Sequence, residues 1–181
     1  LKNTVFPFRY NDLDALKNLI KHKNIGIVKM EVMRNEPPIN NFLSEVRNIC
    51  DENKIVLIFD ECTSGFRETY GGLHLKYKVY PDLSIFGKAL GNGYPITAII
   101  GKSKYMNSVK DTFISSTFWT ERLGSVAALK TLEIMERKQS WKIISKKGLE
   151  LKSEIKKLAR KNEIKIEFSG ISSLFNFNVV S

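Results

Sequence analysis

Five consecutive apolar residues, Ile55 to Phe59, end abruptly at two acids, Asp60 and Glu61, and that junction limits what the chain can fold into more than any other feature. A half-exposed strand alternates apolar and polar residues, whereas a short unbroken run fits a strand buried on both faces of a parallel sheet. In open α/β sheets the ligand crevice lies outside the carboxyl ends of the strands, so an acid closing such a run stands at the crevice. Asp60 by itself would equally suit a turn cap. A second short run, Leu83 to Phe86, follows Pro81 and Asp82 and ends at Gly87-Lys88, with Gly91 and Gly93 just beyond. Glycines on both sides leave room for something large to reach the Lys88 amine.

The rest of the chain alternates helix and strand. Asn11-Asp12 offers a cap to a helix that spaces Leu13, Leu16, Leu19 and Ile20 along one side. Ile25 to Val32 reads as a strand, and Asn40 or Asn41 to Glu52 as a helix turning Phe42, Val46 and Ile49 inward. With Ile55 to Phe59 these form a βαβ unit, which puts Glu31 and Asp60 on the same rim. Ile96 to Ile100 reads as a further strand, and Glu121 or Arg122 starts a helix through Val126, Leu129, Leu132 and Met135. Ile144, Leu151, Ile155 and Leu158, with Gly148 between, space out a buried stripe on the next helix. Ile164 to Phe168 and Leu174 to Val180 alternate like strands at the end. An α/β fold with a mostly parallel sheet follows from this order.

Composition excludes several roles. The formal charge of +10 raises nucleic acid as a partner, but residues 140–165 alone hold nine basic and three acidic side chains, and a solvated helix face accounts for them. Aromatic residues are not interleaved there as a strand-tracking surface requires, so no nucleic-acid role is expected. Cys50 and Cys62, without a C-x-x-C pair, suit a reducing cytoplasm and argue against zinc. His22 and His74 are far apart and read as surface or turn residues, so no metal is expected. No apolar run approaches the roughly 20 residues that cross a bilayer, and no export signal is legible, which makes the expected location cytoplasmic. Ile96 stands where both a dinucleotide fingerprint and a Walker loop would need glycine, and Ser64 is flanked by Cys62 and Phe66 where a hydrolase elbow needs glycines.

The stretches FDECTSGFR around Asp60, PDLSIFGKALGNGYP around Lys88 and SSTFWTERLG around Thr117 resemble the pyridoxal-phosphate-dependent aminotransferases of fold type I, class III, and within them the glutamate-1-semialdehyde aminomutase-like branch. The resemblance runs from about Phe6 to about Phe177. It implies the central part of that family's large domain over residues 1–138 and the start of a small α+β C-terminal domain over 139–181. It implies pyridoxal phosphate as cofactor, with Lys88 forming the Schiff base and Asp60 holding the pyridine nitrogen. Cys62 stands where the family commonly has valine under the cofactor ring, and Thr63 where it has glutamine or methionine near the ring hydroxyl. Thr117 aligns with a threonine that reaches the cofactor phosphate of the partner subunit, implying a homodimer. The bland alternative is that Thr117 or Thr120 caps a helix. Glu36 and Arg67 fall where substrate carboxylates are gated or bound; Arg67 would otherwise pair with an acid on its loop. Val32 replaces the proline that follows the family's strand-end glutamate, here Glu31.

The implied reaction moves an amino group from an amino donor to an aldehyde or keto acceptor, with Lys88 as general acid and base. An aminomutase would use the same residues on one carbon skeleton. From another class, a non-catalytic relic binding nucleic acid or a protein partner would show no cofactor chromophore. Members of the resembled family run to more than twice this length. The chain is therefore expected to be a fragment that lacks the phosphate-anchoring turn and the ring-stacking aromatic, and to bind cofactor poorly by itself.

Overall fold

The computed structural model describes residues 2–115, 117–118 and 121–180. Strands β1 (Ile27–Glu31), β2 (Val56–Asp60) and β3 (Leu83–Phe86) run parallel, and β4 (Ala98–Gly101) joins antiparallel to β3 in the order β1-β2-β3-β4. Helix α1 (Leu13–His22) starts on Asp12, whose carboxylate accepts from the Ala15 amide at 2.9 Å as the sequence suggests. Helix α2 (Phe42–Glu52) carries the chain from β1 to β2; Asn41 precedes it in the left-handed region and makes no side-chain cap. A short helix α3 (His74–Tyr77) lies between β2 and β3.

The core lies on one face of the sheet. Val28, Met30, Leu57 and Phe59 meet Leu16 of α1 and Phe42, Val46 and Ile49 of α2, while Phe86 meets Phe66, Leu90 and Ala128. Fully burying a side chain such as Phe59 is worth about 1.5–3 kcal/mol. Here the expectation of burial on both faces is corrected: Val56 and Ile58 are half-buried, and on the same face Ile27 beside Val56 and Ile99 beside Ile85 are exposed. The helices that supply both core clusters all pack on the opposite face.

At the amino ends of the strands, Asp82 is buried and holds three donors. It accepts from the Leu57 amide at 2.8 Å, from Arg47 at 3.0 Å and from Lys102 at 2.7 Å. This carboxylate joins the entries of β2 and β3 to helix α2 and to the end of β4.

Beyond β4 come a short helix α4 (Ser103–Met106), then α5 (Arg122–Lys138) and α6 (Ser140–Lys161), separated only by Gln139 in the left-handed region. The hairpin β5 (Lys165–Ile171) and β6 (Leu174–Val180) forms a separate antiparallel sheet. The buried stripe expected on α6 is rotated: Leu151 and Leu158 are exposed, and the packed side is Ile144, Gly148, Lys152, Ile155 and Ala159. Gly148 explains the choice. A Cβ there would stand 1.9 Å from the Ser172 carbonyl, so the helix seats its glycine directly on the hairpin turn. Lys152 lies over the rings of Phe168 and Phe175 at 5.3 and 5.4 Å.

Candidate active site

The parallel register places Glu31 beside Asp60 at the carboxyl ends of β1 and β2, on the rim where the sequence puts them. Side chains of paired residues on parallel strands share a face, so Lys29, two positions before Glu31, lies on Asp60's side of the sheet. Its ammonium is 2.9 Å from Asp60 Oδ2. Oδ1 of the same carboxylate accepts from the Cys62 amide at 3.2 Å. Burial works against the charge on Asp60, but the Lys29 and Cys62 hydrogen bonds win and hold its pKa below the usual carboxylate value.

Strand β3 delivers Lys88 to the same rim. Gly87 closes the strand so tightly against β2 that a Cβ there would be 3.3 Å from Cys62 Sγ. Lys88 follows with φ of 44°, in the left-handed region that is uncommon for non-glycine residues. Its amine donates to Thr63 Oγ1 at 2.7 Å. Cys62 sits within electrostatic reach of Asp60, Lys88 and Lys29, and burial together with Asp60 pushes its thiol up, so it stays protonated and packs as a small apolar group. Lys88 is exposed and lines two hollows, one of about 1120 Å³ with Tyr94, Ile96, Thr97 and Phe118, and one of about 790 Å³ with Phe66 and Arg67. The larger hollow reaches Lys88 but not Asp60. The contacts through Cys62 and Thr63 define the site better than hollow size does.

The loop after Asp60 is held from below by a residue that sequence reading passed over. Glu61 is completely buried, its Oε1 accepting from the amide and ring of His74 at 2.9 Å each and its Oε2 from Ser64 Oγ at 2.5 Å. Burial opposes its ionisation, and these donors overcome it and lower its pKa. The reading of His74 as a surface or turn residue is thereby corrected: it is buried, because Glu61 points into the core and needs a partner there. Half of this was available in the sequence, since successive residues at a strand end face opposite ways and an acid directed inward needs a donor, but which residue donates is not a local property. Higher on the loop, Arg67 donates to the Thr63 carbonyl at 3.4 Å, and its own carbonyl accepts from Ser145 of α6 and Ser173 of the hairpin. Glu68 binds Lys76 and both the amide and hydroxyl of Ser172.

Asp60, Cys62, Thr63, Arg67 and Lys88 are thus joined in one chain of contacts. Glu36 is not: it is exposed, and its described influence falls on the Tyr10 hydroxyl rather than on the rim. Thr117 is exposed in a turn. It does not cap α5, whose N-cap position is Glu121 with no side-chain hydrogen bond. Thr120 lies outside the described residues.

A lysine amine at one end, a carboxylate at the other and a small thiol between suit a flat heterocycle bearing an aldehyde and a ring nitrogen. The fold is the α/β fold of the fold type I aminotransferases. The chain belongs to the class-III aminotransferase family: the sequence model of Aminotransferase class-III matches residues 19–173. It is 37% identical to 3-aminobutyryl-CoA aminotransferase of Cloacimonas acidaminovorans over 94% of this chain and 43% of that protein. It is 33% identical to glutamate-1-semialdehyde 2,1-aminomutase of Sulfurisphaera tokodaii over 97% of this chain and 43% of that protein. The FumI protein of Sphingopyxis sp. MTA144, solved in its PLP internal aldimine form, shares the fold with a TM-score of 0.91 at 24% identity, over 97% of this chain and 44% of that one. The chain therefore spans less than half the length of the relatives it matches. The family indicates pyridoxal phosphate as the cofactor. No helix among the described residues is long and apolar enough to cross a membrane.

Proposed function

We propose that the protein carrying this chain is a pyridoxal-phosphate-dependent transaminase in which Lys88 attaches the cofactor and Asp60 binds its ring nitrogen. The observation that carries this reading is the contact chain from Asp60 through Cys62 and Thr63 to the Lys88 amine. Bound there, pyridoxal phosphate supplies an electron-withdrawing ring that stabilises negative charge at a substrate carbon. Asp60, ionised over the working pH range, keeps a proton on the ring nitrogen; a carboxylate about 4 Å from a cation is worth about 4 kcal/mol at an effective dielectric near 20. Lys88 moves the substrate proton as general acid and base. Between transfers, Thr63 Oγ1 accepts the Lys88 amine and fixes its direction. Cys62 packs under the ring, and Arg67, in the hollow it shares with Lys88, faces the substrate carboxylate or its equivalent.

The protein acts in the cytoplasm as a homodimer, Thr117 of one subunit reaching the cofactor phosphate of the other. Supporting this, Phe113, Phe118, Leu123, Val126 and Leu129 leave an exposed apolar surface on either side of Thr117 in the chain. Residues 1–138 belong to the cofactor-binding domain, and 139–181 begin a second, smaller one. Glu36 has no support from this geometry. Amino acyl thioesters are the first donors to try, given the 37% identity to 3-aminobutyryl-CoA aminotransferase, and the aminomutase relative sustains a second reading. A separate keto product distinguishes transamination from mutation.

The attachment test is reduction with borohydride in the presence of pyridoxal phosphate, followed by peptide mapping. The adduct is expected on Lys88. An adduct on any other lysine overturns the assignment.

A further inference from the structure

Asp60 is not served only by the groups a cofactor carboxylate needs. Lys29 stands diagonally across the β1–β2 register, with its ammonium 2.9 Å from Oδ2, and the Cys62 amide occupies a position on Oδ1. The Cys62 thiol donates to the carboxylate as well, and since a carboxylate can accept about four hydrogen bonds, one position remains for a further donor. We propose, resting on the assignment of Asp60 to the ring nitrogen, that Lys29 is a positioning residue of the cofactor site, clamping the Asp60 carboxylate and setting the acidity of the nitrogen it binds.

The geometry leads to two effects. A side chain that ends a strand at an open rim is free to rotate, and two donors on different oxygens fix the plane of its carboxylate before any cofactor arrives. Lys29 is also a second cation on the same carboxylate. Two cations so placed are about 4–5 Å apart and repel, so the ring nitrogen gives up its proton more readily than Asp60 alone would allow. The Lys29 side chain is 54% exposed, and solvent screens part of this repulsion, leaving a shift of about one pH unit. The charged and titratable groups around the rim are Lys29 and Glu31 on β1, Cys62 beyond β2 and Lys88 beyond β3. Glu31 also pairs with Arg34 at 3.6 Å, and Cys62 carries no charge, so Lys29 is the cation in direct contact with Asp60 among the described residues.

The experiment compares the full-length gene product with its Lys29→Met and Lys29→Arg variants. Carbon-13 NMR follows the Asp60 carboxyl without cofactor, and nitrogen-15 NMR follows labelled pyridoxal phosphate bound to the same proteins. Lys29→Met is expected to raise the Asp60 midpoint toward an ordinary carboxylate and to raise the ring-nitrogen midpoint by about one pH unit. Lys29→Arg is expected to restore both. An Asp60 midpoint unchanged by Lys29→Met overturns the clamp, and an unchanged nitrogen midpoint overturns its role toward the cofactor. Failure of the underlying assignment has a different signature: the borohydride adduct misses Lys88, or Asp60→Asn leaves the nitrogen midpoint where it was.

Discussion

Two aspartates with basic partners occupy opposite ends of the same sheet, and they illustrate how differently one residue type is used. The Asp82 side chain is 3% exposed and that of Asp60 24%. Asp82 binds two cations and a backbone amide at the strand entries, while Asp60 binds one cation and the amide and thiol of Cys62 at the strand exits. Both have lowered pKa values despite opposing burial, so the direction of the shift does not separate them. Their free valence does. Asp82 is enclosed by its own chain, whereas Asp60 keeps an open edge to the rim that Lys88 shares. A carboxylate surrounded by its own fold builds structure, and one that retains access can bind something else.

The difference breaks down if the two sites respond alike to substitution. The largest expected effect on stability is at Asp82: Asp82→Ala leaves the buried Leu57 amide unpaired and takes one of two carboxylates from the nearly buried Arg47 guanidinium, which keeps Asp51, and should cost about 3 kcal/mol in chemical denaturation. Whatever folds should still incorporate cofactor at Lys88. Next comes Asp60→Asn, which should lower turnover by about 10²–10³-fold, the usual scale for one preorganised electrostatic partner. Its stability should change by about 1 kcal/mol or less, since Lys29 is returned to solvent. Equal loss of stability in the two variants would abolish the distinction.

Glu61 sharpens the comparison, being adjacent to Asp60 yet behaving like Asp82. Glu61→Gln should cost about 1–3 kcal/mol by leaving Ser64 or His74 mispaired. Because the folded pKa of Glu61 is depressed, its contribution is present above the unfolded value near 4.3 and is lost as pH falls through the folded value. The wild type should therefore lose stability more steeply than Glu61→Gln on acidification below about pH 4.3, measured as denaturation midpoints.

Much of this was legible before any coordinates. The run Ile55 to Phe59 announced a strand, its end announced the rim, and Gly87-Lys88 announced the end of the next strand, because strand period and glycine placement are local properties. What failed depended on neighbours distant in sequence. Leu151 and Leu158 have the spacing of a buried stripe, but the close approach at Gly148 turned α6 the other way. His74 looked like a turn residue because nothing local says that Glu61 will reach it across the loop. Lys29 drew no notice at all, since only strand register reveals that it lies diagonal to Asp60.

By itself the sequence determined at which ends of which strands Asp60 and Lys88 stand, since alternation and chain breaks are written in consecutive residues. Tertiary structure decided which of those groups have partners and which stay open. Pairing between strands and packing between helices bring together residues far apart in the chain, and for a carboxylate those contacts separate an enclosed anchor from one with an open edge.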